Sequence, residues 1–284
     1  MNTQTTTTRL QGLAALWSSL VAMTIKELTI MLRYPVEFVA SFGQVFLIVA
    51  VLTLAGLMFS PQGLAGGNQR TAGLVVYGFI VFMFLSDTLW AIGYNVRRDQ
   101  KQGTLEQLYL SPASKFANLV SRIVVSLVWT GLLCITSAAL MSALIDELPF
   151  HNVPLGVAVL ALTLAGTFGT GFAFAALTLR IKETAQTLAN LLQFSFMVFC
   201  APFFPFAALP EFLRWVSYLI PLSYGVDAFR SVLMGLPAGY PELLPLWAEL
   251  IILTVFGLAM PAIGYWLYCR EEDHARRSGS LSEY

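Results

Sequence analysis

Long apolar runs separated by short polar breaks dominate the chain. Six of them are long enough to cross a hydrocarbon core, which needs about 20 apolar residues. They lie near Val36–Phe59, Thr71–Val96, Leu119–Ile145, Pro154–Leu179, Ala185–Ala207 and Leu243–Tyr268. Pro35 suits the first turn of the first run, where its missing N–H costs nothing. The breaks SPQGLAGGNQR and DELPFHNVP are rich in turn residues and join neighbouring spans.

Two apolar stretches do not fit a span. From Leu13 to Leu32 the run is broken by Ser18, Ser19, Lys26 and Glu27, while Leu13, Leu16, Trp17, Leu20, Leu28 and Met31 keep helical spacing. That pattern predicts an amphipathic helix lying in the membrane interface. A signal peptide is the competing reading, but its basic start is a single Arg9 and no small-residue cleavage site precedes a soluble domain. From Leu209 to Pro241, the prolines 210, 221, 237 and 241 cut the chain into pieces too short to cross. Glu211–Tyr218 and Ser223–Met234, the latter ended by Gly235, read as two half-helices. A hairpin dipping into one leaflet fits, since non-helical backbone at depth must be shielded by protein; a plain extracellular loop is the alternative.

The polar island Arg97–Ser114, RRDQKQGTLEQLYLSPAS, interrupts the apolar pattern most sharply. Gly103 ends the arriving helix. Thr104 with Gln107 forms a capping-box pattern for a new one. Leu105, Leu108 and Tyr109 share a face at spacings of three and four, and Ser111-Pro112 closes the turn. A short helix with an apolar face and charged flanks is suited to docking; an ordinary basic loop is the plainer reading.

Composition sharpens the class. The hydrophobic fraction is 57% and the charged fraction 11%, against roughly 25% charged in soluble domains, so the chain reads as an integral membrane protein. The net charge of +0 gives no reason to expect a nucleic-acid partner. With six spans and both termini on one side, every Lys and Arg except Arg70, Arg214 and Arg230 falls on that side. The positive-inside rule makes it cytoplasmic. A seven-span topology would bury Lys26 and Glu27, at several kcal/mol on the insertion scale. The expected organisation is a cytoplasmic start with its interfacial helix (1–34), a transmembrane unit (35–268) and a cytoplasmic tail (269–284). Within the transmembrane unit lie the docking segment (97–116) and the outer hairpin (209–241).

Candidate chemistry is sparse. Cys134, Cys200 and Cys269 are scattered and suggest neither a disulfide framework nor a metal site. The chain contains no phosphate-binding loop G-x-x-x-x-G-K-[ST]. Asp87 is the one carboxylate clearly inside a span, with Glu249 nearer the outer end of the last. Asp87 is either a proton site or a structural group bonded to Ser86, Thr88 or Trp90. Gln44 with Phe38 and Phe42, and Asn190 with Gln193, Phe194 and Phe196, recur at helical spacing; such faces line a path or pack helices. Gly166, Thr167, Gly169, Thr170 and Gly171 predict a close helix–helix contact.

Three motifs together resemble the type-2 family of ABC exporter permeases over nearly the whole length. QKQGTLEQLYLSP is similar to that family's coupling helix, with Gln100 or Gln102 where an acidic residue is common. KELTIMLRYP is similar to its interfacial helix leading into the first span. IPLSYGVDAFRSVLMG is similar to the signature after the fifth span, with Ile220 in place of the usual Asn.

The resemblance implies an all-α membrane protein with six transmembrane helices, an N-terminal interfacial helix, a cytoplasmic coupling helix and an outer-leaflet re-entrant hairpin. It implies a second permease copy, a homodimer being expected, and two copies of an ABC ATPase subunit that bind ATP and Mg; this chain is expected to bind no cofactor or metal and to be no enzyme itself. Arg97, Arg98, Gly103, Thr104, Leu105, Glu106, Leu108 and Tyr109 would couple to the ATPase. Phe38, Phe42, Asp87, Asn190, Phe194 and Phe196 would line the translocation path, and Pro221, Tyr224, Asp227 and Arg230 would form the outer gate. The implied activity is export of a hydrophobic or amphipathic substrate across a bacterial inner membrane, with membrane lipid as its surroundings. Polysaccharide or lipid-linked glycan export is the runner-up, and an ion-coupled carrier using Asp87 a more distant reading.

Overall fold

The computed structural model describes residues 35–59, 67–101, 115–144, 148–181 and 184–277, with isolated positions between 17 and 33. The elements are α1 (Pro35–Phe59), α2 (Gly67–Lys101), α3 (Lys115–Leu144), α4 (Val153–Ile181), α5 (Ala185–Phe199), a 3-10 turn (Phe206–Ala208), α6 (Glu211–Leu219), α7 (Pro221–Leu233) and α8 (Leu246–Arg277). The described positions between 17 and 33 are helical; the remainder of residues 1–34, which holds most of the expected interfacial helix, lies outside the described residues.

The bundle is organised around α2, which packs on α1, α3, α4, α5 and α7. Its run LVVYGFIVFMFLS is buried on nearly every side, with Val75, Val76, Tyr77, Val81 and Leu85 almost inaccessible. A helix apolar all round is stable only where neighbours or lipid surround it. Helices α4 and α8 form the longest pairing, and glycine permits it. A Cβ on Gly169 would stand 2.1 Å from the Met260 carbonyl carbon, and one on Gly264 only 2.0 Å from the Gly169 oxygen. This is the close contact expected of the Gly166–Gly171 stretch, made at the point where Pro261 interrupts the α8 ladder.

Among the described residues, three helices are long and apolar enough to cross a membrane: Gly73–Trp90 in α2, Val153–Thr178 in α4 and Leu246–His274 in α8. The stretches Val39–Leu52, Val124–Leu140 and Thr187–Phe199 are shorter apolar helices. The outer side of α8 exposes Trp247, Ile251, Val255, Leu258, Ile263 and Trp266. The two tryptophans are separated by a rise of about 28 Å, close to the roughly 30 Å of a hydrocarbon core and in keeping with aromatic belts at its edges. Trp247 lies at the end of the bundle that carries the α6–α7 hairpin.

The boundaries differ most from the sequence reading in two places. The fifth apolar run was expected to be helical from Ala185 to Ala207, but α5 stops at Phe199. Its length is about 22 Å, short of the core thickness. The cause is Pro202, which disfavours helical angles at Ala201; Ala201 instead takes φ 45. The sixth run begins at Leu246 and continues as helix to Arg277, so part of the expected tail (269–284) extends α8.

Candidate functional site

Where α5 breaks, the chain from Ala201 to Phe204 runs through buried and half-buried ground without helical hydrogen bonds. Its carbonyls need donors, since an unmet buried carbonyl costs about 1–3 kcal/mol. The α6–α7 hairpin supplies them. Ser217 Oγ donates to the Phe199 oxygen at 2.6 Å, and Ser223 Oγ, at 3.5 Å, reaches the same atom. Arg230 Nη1 donates to the Phe204 oxygen at 3.3 Å, and Nη2 donates to the Ala201 oxygen. The left-handed Ala201 is therefore held by a guanidinium fork, which can serve two carbonyls at once. Gly78 on α2 makes the room: a Cβ there would lie 2.0 Å from the Pro202 oxygen and 2.5 Å from Arg230 Nη2.

The hairpin itself follows from local sequence. Pro221 sits at the first position of α7, and its fixed φ suits a helix start. Gly235, at φ 79, ends the helix, with Leu236 N–H bonded back to the Ser231 oxygen. Tyr224 Oη donates to the Tyr218 oxygen at 2.6 Å and ties α7 to α6. Nearly the whole of α7 is buried, on α2, α4 and α8. α6, by contrast, exposes Phe212, Trp215 and Leu219 on one side.

Around Arg230 gathers a set of acids. Asp227 Oδ2 accepts the N–H groups of Glu242 at 2.8 Å and Leu243 at 2.7 Å. Glu249 Oε1 accepts the Leu244 N–H at 3.4 Å, and Glu242 Oε2 accepts that of Ala207 at 2.8 Å. Arg230, Asp227 and Glu249 are each 0% exposed. Burial lowers the Arg230 guanidinium to about 10, against the pull of Asp227 and Glu242. Burial raises Asp227, opposed first by the Leu243 N–H and then by Arg230. Burial also raises Glu242, and takes Tyr240 up to about 12. Of the four expected gate residues, Asp227 and Arg230 lie in this buried polar centre, Tyr224 is buried beside it on α7, and Pro221 starts the helix half-buried.

The expected path residues are not gathered in one chain. Asp87 accepts a hydrogen bond from Thr130 on α3, not from Ser86, Thr88 or Trp90 as anticipated. Thr88 instead bonds back to the Phe84 oxygen at 2.8 Å. Trp90 Nε1 donates to Gln193 Oε1 at 2.8 Å, and Gln193 Nε2 donates to Ser86 Oγ at 2.7 Å, so α2 and α5 are stitched by amide and indole. Asn190 and Phe194 are exposed together on α5, while Phe196 is half-buried against the core. Phe42 on α1 is half-buried and stacked on Phe46, centroids 6.1 Å apart. Helix α2 packs on both α1 and α5. Phe38 lies in α1, and its side chain is outside the described set.

Arg97 and Arg98 lie in the last turns of α2. Gly103, Thr104, Leu105, Glu106, Leu108 and Tyr109 lie outside the described residues, as does the rest of 102–114. Sequence reading missed Gly78, Thr130, Ser217, Ser223 and Glu242 as parts of polar contacts. The one local signal was Pro202, whose broken helix creates the need for the donors.

A bundle of apolar helices, with most buried polar groups met at helix contacts and a broken helix clamped by a short hairpin, defines a multi-pass helical membrane protein. A family model described as ABC-2 family transporter protein matches residues 62–266, most of the chain. The chain belongs to this family of ABC transporter permeases. No curated protein matches it.

Proposed function

We propose that the chain is the transmembrane subunit of an ATP-driven exporter that moves a hydrophobic or amphipathic substrate, with ATP and Mg bound by ATPase subunits on separate chains. The observation that carries the substrate class is the exposed face of α5. Thr187, Asn190, Leu191, Phe194 and Val198 form an uncharged stripe at helical spacing, suited to a molecule with a large apolar part and few polar groups. The exposed side of α1, with Gln44 among Val39, Leu47 and Val51, is equally uncharged. Two copies pairing as a homodimer would bring such faces together around a path. In this reading α1 to α5 and α8 are the six spans, both termini are cytoplasmic in a bacterial inner membrane, and the α6–α7 hairpin closes the outer end. The peptide around Leu105 and Leu108 docks in the ATPase, anchored by apolar contacts within a polar rim.

Co-purification with the candidate ATPase tests the reading. Wild type is expected to retain it, and Leu105→Asp/Leu108→Asp to lose it by at least tenfold while remaining folded, since charged groups cannot fill an apolar pocket. Equal retention by both would remove the coupling role of these residues, and capture by neither would remove the exporter reading.

A further inference from the structure

Two buried carboxyl groups meet where α7 crosses the first turn of α8. Asp227 and Glu249 are each 0% exposed, and they accept from adjacent residues of one turn, Asp227 from Leu243 and Glu249 from Leu244, which brings the two carboxyls alongside each other. Each spends one oxygen on backbone N–H groups: Asp227 Oδ2 on Glu242 and Leu243, Glu249 Oε1 on Leu244. The other two oxygens, Asp227 Oδ1 and Glu249 Oε2, are buried and face no donor. An ionised carboxylate only accepts, so two of them cannot bond each other unless one carries a hydrogen. Two bare carboxylates in a dry site would also repel strongly, and such pairs hold a proton between them.

We propose that Asp227 and Glu249 hold a single proton, and that this proton fastens the α6–α7 hairpin to α8. The backbone donors assign the sites. Asp227, with two N–H groups on one oxygen, is the carboxylate; Glu249, with one long bond, carries the hydrogen and donates it to Asp227 Oδ1. The pair then bears one negative charge, opposite the Arg230 guanidinium on the same helix. Other titratable groups facing the pair are Tyr224 on α7 and Tyr240 and Glu242 from the loop before α8; Cys200 lies by Arg230, Tyr218 by Tyr224, and Tyr77 on α2 donates to the Pro149 oxygen. None of these places a second cation beside Arg230, so loss of the proton leaves an uncompensated charge at the joint. Glu249 stands in the first turn of α8, two residues from the exposed Trp247. The proposal concerns the joint itself and does not depend on the identity of the cargo or of the ATPase.

The direction of the pH effect follows by linkage. The folded pair retains a proton that the unfolded carboxyls have already released at neutral pH, so stability falls as pH rises. Glu249→Gln retains every contact, its amide donating where the proton did.

The test is the infrared carbonyl band of a protonated carboxylic acid in the purified full-length protein at neutral pH, with thermal stability followed against pH. Wild type is expected to show the band, and Glu249→Gln to lose that component. The variant's melting temperature should also be flatter towards alkaline pH than that of wild type. Asp227→Asn provides a second variant if the first fails to fold: its amide donates to an ionised Glu249, and the same component is expected to vanish. An unchanged band in both variants overturns the proposal. So does a wild-type protein whose stability depends on sodium concentration and that shows no acid band, since a bound cation would then bridge the pair.

Discussion

Arg230→Leu is expected to cost the protein most of its outer end. The side chain is fully buried and its two donors serve the carbonyls of Ala201 and Phe204. Leucine fills much of the volume but leaves both carbonyls without a partner, at roughly 1–3 kcal/mol each. Asp227 meanwhile loses the cation nearest to it. A loss of about 2–6 kcal/mol is comparable with the whole stability of many domains. Poor recovery and early aggregation in a detergent melting assay are therefore expected. Arg230→Lys should recover only part, because an ammonium lacks the planar fork that reaches two carbonyls together. A variant with wild-type melting behaviour would show that the broken segment finds its donors elsewhere.

Gly78→Ala is the second large effect, although it adds one methyl group. That methyl would stand 2.0 Å from the Pro202 carbonyl oxygen, which belongs to backbone and cannot swing aside like a flexible side chain. Relief requires α2 to move away from the 199–205 segment, and α2 is the helix on which most others pack. Overpacking of this kind costs typically about 1–3 kcal/mol, and more where backbone is involved. The same methyl would lie 2.5 Å from Arg230 Nη2. Gly78→Ala and Arg230→Leu should therefore be non-additive, with the double variant less unstable than the sum, as expected for residues sharing a contact. Strict additivity in melting measurements would contradict the packing described.

The parts of this fold governed by local chemistry were legible in the sequence. Pro221 and Gly235 bracket α7 because one fixes φ for a helix start and the other accepts the left-handed turn that ends it. The glycines of α4 announced a close neighbour, though not that α8 would be the neighbour. The α5 boundary was missed because the apolar run continues unbroken through Cys200, and hydrophobicity outweighed the signal of Pro202. Polar pairings were legible only as possibilities. Glu249 looked like a marginal carboxylate at a span end, and nothing local to it points to Asp227, which the return of the chain after α7 brings alongside. Asp87 was recognisable as a group needing a partner, but the partner, Thr130, comes from the next helix. In each case residue type stated a need, and only tertiary contact determined how it was met.

The proposed exporter arrangement needs the docking segment and the hairpin on opposite sides of the membrane, and cysteine labelling tests that directly. Cys134 and Cys200 are buried, so replacing Cys269 by Ser leaves a quiet background. Ala238→Cys would then report the exposed loop after α7, and Leu105→Cys the docking segment. The expected result is that a membrane-impermeant maleimide labels Ala238→Cys in intact cells and Leu105→Cys only after the membrane is breached. Labelling of both positions from the same side would contradict it.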